Sequence, residues 1–163
     1  MKRLIAFGLF AYAVAPVAAG AVSRKDVSLI ERAARMKPGQ YVWDRAAKSA
    51  GEISIVIDLG DQRALLYRNG VEVAASTISS GSKGRETPTG AFTIVEKQVV
   101  HRSRTYDDAS MPYMQRLTWK GVSMHAGHLP GHPASHGCIR LPAGFAKLLY
   151  GVTTLGTPVT ITD

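Results

Sequence analysis

The sequence predicts a mainly β domain, an antiparallel sandwich or barrel-like fold with one or two short helices. Three observations carry that expectation. From Glu52 onward the period is strand-like, with Ile53, Ile55 and Ile57 alternating with Ser54, Val56 and Asp58. Turn signals recur at short intervals: Gly60-Asp61-Gln62, Asn69-Gly70 and Lys120-Gly121 each separate apolar runs. Within that region one stretch has clear helical spacing. It runs from Pro142 to Tyr150, with Phe145, Leu148 and Leu149 on one face behind a starting proline.

The elements follow in order. Residues 1–21 have the layout of a secretory signal peptide. Lys2 and Arg3 precede an apolar run from Leu4 to Val14, and small residues follow at Ala18-Ala19-Gly20-Ala21. The run is short for a membrane span, so cleavage and export to the periplasm or cell wall are expected, with no stable membrane anchor afterwards. Residues 22–51 read as an N-terminal helix and connector. Val27, Ile30, Ala33 and Ala34 recur at helical spacing before Pro38-Gly39, Tyr41 to Asp44 reads as a short strand, and 46–51 is a weak connector. The main domain is 52–163. Glu52 to Asp58, Arg63 to Arg68 and Val71 to Ser79 form a meander, with a tight hairpin at Asn69-Gly70. Ser80 to Gly90 is a polar loop. Ala91 to Val100, Tyr113 to Trp119 and Val122 to His125 read as further strands, and Pro158 to Thr162 closes the sheet. About eight short strands result, which is the pattern of a sandwich or barrel.

Charge narrows the function classes. The formal net charge is +8, and losing Lys2 and Arg3 with the signal takes it down by two, to +6. The basic residues are scattered, with no dense run and no nucleic-acid motif, so no nucleic-acid partner is expected. A basic surface suits an anionic polymer such as the cell wall.

The chemistry concentrates in Met124 to Leu141. That stretch holds four of the five histidines, His125, His128, His132 and His136, and the single cysteine, Cys138. Its prolines and glycines make it a loop, a common place for reactive groups. A lone cysteine in an exported chain has no internal disulfide partner, and an exposed free thiol is a liability unless it is used. Most lone cysteines are buried and inert. Here the thiol sits in Ser135-His136-Gly137-Cys138 among titratable rings, which favours a nucleophile. Such a thiol needs a base or positive charge nearby, and His125 and His136 can each supply both.

His125 followed by Ser135-His136-Gly137-Cys138-Ile139-Arg140 resembles the signature of the L,D-transpeptidases, cell-wall cross-linking enzymes with a YkuD-type catalytic domain. Glu86-Thr87-Pro88-Thr89-Gly90-Ala91-Phe92 resembles a second segment of that family, and the likeness covers roughly Glu52 to Thr162. The resemblance implies a β-rich, sandwich-like catalytic domain. It implies Cys138 as nucleophile and His125 as the base that activates it. In the family a backbone carbonyl orients that ring, and here Ala126 or Gly127 is placed to supply it. A protonated His125 beside Cys138 is expected to lower the thiol pKa. His136 and Gly137 are expected to shape a turn whose N–H groups, with that of Cys138, face a developing oxyanion. Arg140 is expected to hold a substrate carboxylate. Ser135 is assigned to substrate binding or to a turn, Tyr113 to the rim of the cleft, and Trp119 to the core. The implied substrates are peptidoglycan stem peptides, which pass through a thioester acyl-enzyme. Carbapenem-type inhibitors are expected to acylate the same thiol, and no metal or organic cofactor is expected.

Other readings share these residues. Water as acceptor would make an L,D-carboxypeptidase, and a wall protein's lysine an anchoring enzyme. The four histidines could instead hold zinc in a metal-dependent wall peptidase. Against that, no HExxH-type helix is present and the loop has no Glu to act as base. A non-catalytic wall-binding module fits the basic surface but gives the exported thiol no use.

Overall fold

A computed structural model describes residues 29–103, 105 and 108–163. The proposed signal peptide and the start of the first helix lie outside the described residues. The first described helix is α1 (Leu29–Ala34). It leads to β1 (Tyr41–Trp43) and a 3-10 helix over Arg45–Lys48, where the Asp44 carboxylate accepts from the Ala46 N–H at 2.7 Å.

The meander forms as the alternation predicts. β2 (Ile53–Asp58) pairs antiparallel with β3 (Arg63–Arg68), and β3 with β4 (Val71–Thr77). Ile55, Ile57, Ala64 and Leu66 turn inward and are at most 1% exposed. The hairpin between β3 and β4 places Asn69 at φ 50° and Gly70 at φ 75°. Both are left-handed, as the tight turn favoured by Asn-Gly requires.

Two sheets enclose the core. The larger runs β1-β4-β3-β2-β10-β5, with β5 at Gly90–Thr93 and β10 at Pro158–Thr162. The smaller runs β6-β7-β8-β9, over Glu96–Gln98, Met114–Arg116, Ser123–Ala126 and Ile139–Leu141. Ile78, Ile94, Met124, Ile139 and Leu141 fill the space between them with the inner faces of β2, β3 and β10. α2 (Ala143–Val152) starts after Pro142 and buries Phe145, Ala146 and Leu149. The Phe145 ring meets Trp43 edge-on at 5.6 Å and Tyr41 at 5.8 Å, so β1 is tied to α2.

Three features differ from the sequence reading. Ala91 to Val100 is two strands rather than one. The Ile94 N–H bonds the carbonyl of Thr157, just before β10 of the large sheet, and the next N–H, of Val95, bonds that of Arg116 in the small one. The chain changes sheets there, which a period-two pattern does not reveal. β10 lies between β2 and β5 and pairs in parallel with β2, where an antiparallel arrangement was expected. Residues 45–48 form a helical turn where a plain connector was expected.

Arg68 is 8% exposed and bonds backbone carbonyls alone: Nε and Nη2 donate to Ala47 and Nη1 to Gly51, at 2.7 to 3.1 Å. Arg68→Met leaves those carbonyls without their donors. It is expected to cost about 2 kcal/mol, read as a lower urea midpoint, with Cys138 still open to alkylation in the folded protein.

Candidate active site

The small sheet brings the site together. β8 pairs in parallel with β9, setting Met124 opposite Ile139 and His125 opposite Arg140. One step back along both strands, Cys138 lies beside Ser123. The turn before β8 supplies the Gly121 carbonyl, to which the Cys138 thiol donates at 3.4 Å.

A second segment holds the nucleophile loop in shape. Ser79 exchanges backbone bonds with Arg140, and the Ser80 carbonyl accepts from the N–H groups of Ala134 and Ser135. The Ser79 hydroxyl donates to the His132 carbonyl at 2.8 Å. Thr87, 4% exposed, accepts from the Gly81 N–H and donates to the Gly137 carbonyl at 3.1 Å. The polar loop therefore packs beneath the turn that carries Cys138. Gly137 sits at φ 106°, and a Cβ there would meet the carbonyls of Arg85 and Glu86 at 3.7 and 3.8 Å. The space is ordinary, but the dihedral is one that L side chains avoid. Gly137→Ala is expected to cost about 1–3 kcal/mol and to slow Cys138 acylation together with it, checked by thermal melting and a single-turnover assay.

His125 is 8% exposed, and its Nδ1 lies 2.9 Å from the Ala126 carbonyl. A carbonyl only accepts, so Nδ1 carries the proton and Nε2 keeps its lone pair. Burial pushes the His125 pKa down. The Ala126 carbonyl opposes this, while the positive charges of Arg140 and His101 add to it. Burial likewise pushes the Cys138 thiol up, against the Ser123 backbone N–H, Arg116 and Arg140, which favour thiolate. Both groups are thus held toward their neutral forms. Both shifts run against the expected thiolate beside a protonated histidine, with burial the largest cause at each group.

Two clefts meet at Cys138. One, of about 320 Å³, is lined by His125, His128, Arg140, Ser110 and Met111. The other, of about 560 Å³, is lined by Arg116, Trp119, Lys120, Gly121 and His101. His136 is exposed and borders both. Arg140 lies along Gly127, where a Cβ would meet its Cγ at 3.0 Å.

Some residues sit elsewhere than expected. Ser135 is 2% exposed, and its hydroxyl is used inside the loop, donating to the Cys138 carbonyl at 2.5 Å and accepting from the Gly137 N–H at 3.1 Å. That is the turn role rather than a substrate contact. It also occupies the Gly137 N–H, whereas the Cys138 N–H has no hydrogen-bond partner among the described residues. Tyr113 packs on the core with its ring 5.9 Å from that of Tyr150 and lines neither cleft. Trp119 is 76% exposed on the wall of the larger cleft, not in the core. His128 and His132 are exposed, and His132 Nδ1 faces the Pro133 carbonyl at 3.1 Å. Among the described residues no three His, Cys, Asp or Glu side chains are grouped to hold a metal ion. The sequence reading passed over Arg116, Met111 and the Gly121 carbonyl. Arg116 carries no motif signal, and a backbone acceptor leaves none.

Comparisons with known proteins match this arrangement. Residues 52–161 fit the family model of the L,D-transpeptidase catalytic domain, YkuD. No curated protein sequence matches significantly. Among solved structures, an L,D-transpeptidase from Mycobacterium smegmatis is 25% identical with a TM-score of 0.64, covering 70% of this chain and 60% of that one. L,D-transpeptidase 1 from Mycobacterium tuberculosis is 29% identical with a TM-score of 0.58, covering 68% and 61%. An LD transpeptidase solved in complex with imipenem is 26% identical with a TM-score of 0.62, covering 68% and 58%. The chain thus spans about 60% of the length of these structures. With two thirds of its own length fitted by one family model, over both sheets and the Cys138 loop, this chain belongs to the YkuD L,D-transpeptidase catalytic-domain family.

Proposed function

We propose that the chain is an exported L,D-transpeptidase that acts on peptidoglycan stem peptides through a Cys138 thioester. The single observation that carries this is the hydrogen bond from His125 Nδ1 to the Ala126 carbonyl. It leaves Nε2 as a base with a depressed pKa, in a cleft shared with the only cysteine. Such a base is neutral at neutral pH and ready to accept a proton.

The steps then balance. The Cys138 sulfur attacks the carbonyl of the L-centre joined to the terminal D-residue, and the thiol proton passes to Nε2. The Cys138 N–H faces the developing oxyanion. The C–N bond breaks, Nε2 returns the proton to the departing amine, and the thioester remains. An amine from a second stem attacks next, giving its proton to Nε2 as the new C–N bond forms. The S–C bond breaks and the thiol is restored. No step needs a metal or organic cofactor.

Incubation with sacculi, followed by mass spectrometry of muropeptides, tests the assignment. Dimeric muropeptides with the terminal D-residue lost are the expected product. Tetrapeptide turned to tripeptide without dimers would make water the acceptor. Neither product would reject acyl transfer. Related structures hold imipenem or a faropenem-derived adduct. By the same chemistry a carbapenem is expected to add to this chain's thiol in a one-to-one ratio, read as the intact mass, and to leave Cys138→Ala unmodified.

A further inference from the structure

The two clefts at Cys138 differ in what they offer. His125 lines the smaller cleft and not the larger, while Cys138 lines both. The departing amine must take its proton from His125 Nε2, so it lies on the smaller side, with Arg140. The resolving amine gives its proton to the same nitrogen and enters the same way. The acyl half of the donor therefore runs into the larger cleft, along Arg116, Trp119 and Lys120.

Arg116 is built to read an anion there. Its side chain is 17% exposed, and Nε is held by the Glu96 carboxylate. Gln98 donates to the same carboxylate and faces His101 Nδ1 at 2.8 Å, so the guanidinium is fixed from behind. Nη1 and Nη2 have no hydrogen-bond partner among the described residues. The exposed Trp119 ring lies 6.0 Å from the guanidinium carbon, and Lys120 adds a second positive charge to the same cleft. A half-buried guanidinium with one nitrogen anchored and its outer pair unused is the donor set that matches a carboxylate. Arg140 also has no side-chain hydrogen bond among the described residues, and it faces the other cleft.

Resting on the acyl-transfer reading above, we propose that Arg116 is a specificity-determining residue that binds a carboxylate on the acyl half of the donor, while Arg140 holds the one on the departing residue. The preferred substrate then carries a negative charge on each side of the scissile bond. Trp119 covers the aliphatic part of the acyl half next to that carboxylate.

The test uses two stem tetrapeptides that differ only on the acyl half, with carboxylates free in one and amidated in the other. Wild-type kcat/KM is expected to favour the free acid by about 10- to 100-fold, the worth of a charge-assisted pair. In Arg116→Gln the ratio is expected to fall to about one, and Arg116→Lys should recover part of it, since charge remains without the fork. A ratio within each variant cancels any change in thiol acidity. Equal use of both donors by the wild type overturns the proposal without any variant. So does an undiminished preference in Arg116→Gln. Turnover of neither donor by the wild type contradicts acyl transfer itself and takes this inference with it.

Discussion

Cys138→Ala is expected to abolish both acyl-enzyme formation and cross-linking, a loss of about 10⁴-fold or more when a nucleophile is removed. The fold should survive. Cys138 is half-buried and gives one thiol hydrogen bond, to the Gly121 carbonyl, while β9 is held by Ser79 and β8. An unchanged melting temperature beside lost activity is the expected pair of results. Cys138→Ser keeps the shape and a hydroxyl, yet an alcohol ionises far less readily than a thiol, so it too should be nearly inactive. Residual cross-linking at wild-type rate by either variant would remove the cysteine from the mechanism.

His125→Ala is expected to slow carbapenem acylation by about 10²- to 10⁴-fold, the usual contribution of a general base. The pH profile gives the sharper reading. Burial pushes the His125 pKa down, so the neutral, accepting form persists to a lower pH than in an ordinary imidazole. The acid limb of the wild-type rate should therefore lie at a lower pH than an ordinary histidine would give. Without His125 the rate must rely on spontaneous thiolate, and burial pushes the thiol above its usual 9.0. The limb should move far to the alkaline side. His128→Ala should leave the limb in place, because His128 is exposed and, among the described residues, makes no hydrogen bond to the thiol or to His125. Rates measured from acid to alkaline pH on all three proteins check this. A shift in His128→Ala with none in His125→Ala would reassign the base.

Much of this was legible in the chain, and for identifiable reasons. Period two in Ile53, Ile55 and Ile57 fixed which faces of the meander are buried, and Asn69-Gly70 fixed the hairpin. The Ser-His-Gly-Cys run after His125 pointed to the family, and the carbonyl of Ala126 orients the ring as the family pattern led us to expect. What stayed hidden depends on long-range pairing. Ile94 and Val95 are neighbours bonded to different sheets, and nothing local marks that switch. Trp119 read as core because aromatics usually are, yet it stands on a cleft wall beyond the end of β7. Tyr113 went the other way, drawn inward by Tyr150 of α2. Adjacency suggests an ion pair, while burial, visible only in three dimensions, pushes the His125 pKa down and the Cys138 pKa up.

The most direct test of the central claim is the intact mass of the wild-type protein, quenched in acid during turnover of a stem tetrapeptide. The account predicts an adduct equal to the tetrapeptide less its terminal D-residue, confined to the proteolytic fragment containing Cys138 and released by hydroxylamine, as a thioester is. Product accumulating with no such adduct, in a reaction stopped by a chelator and restored by zinc, would contradict it.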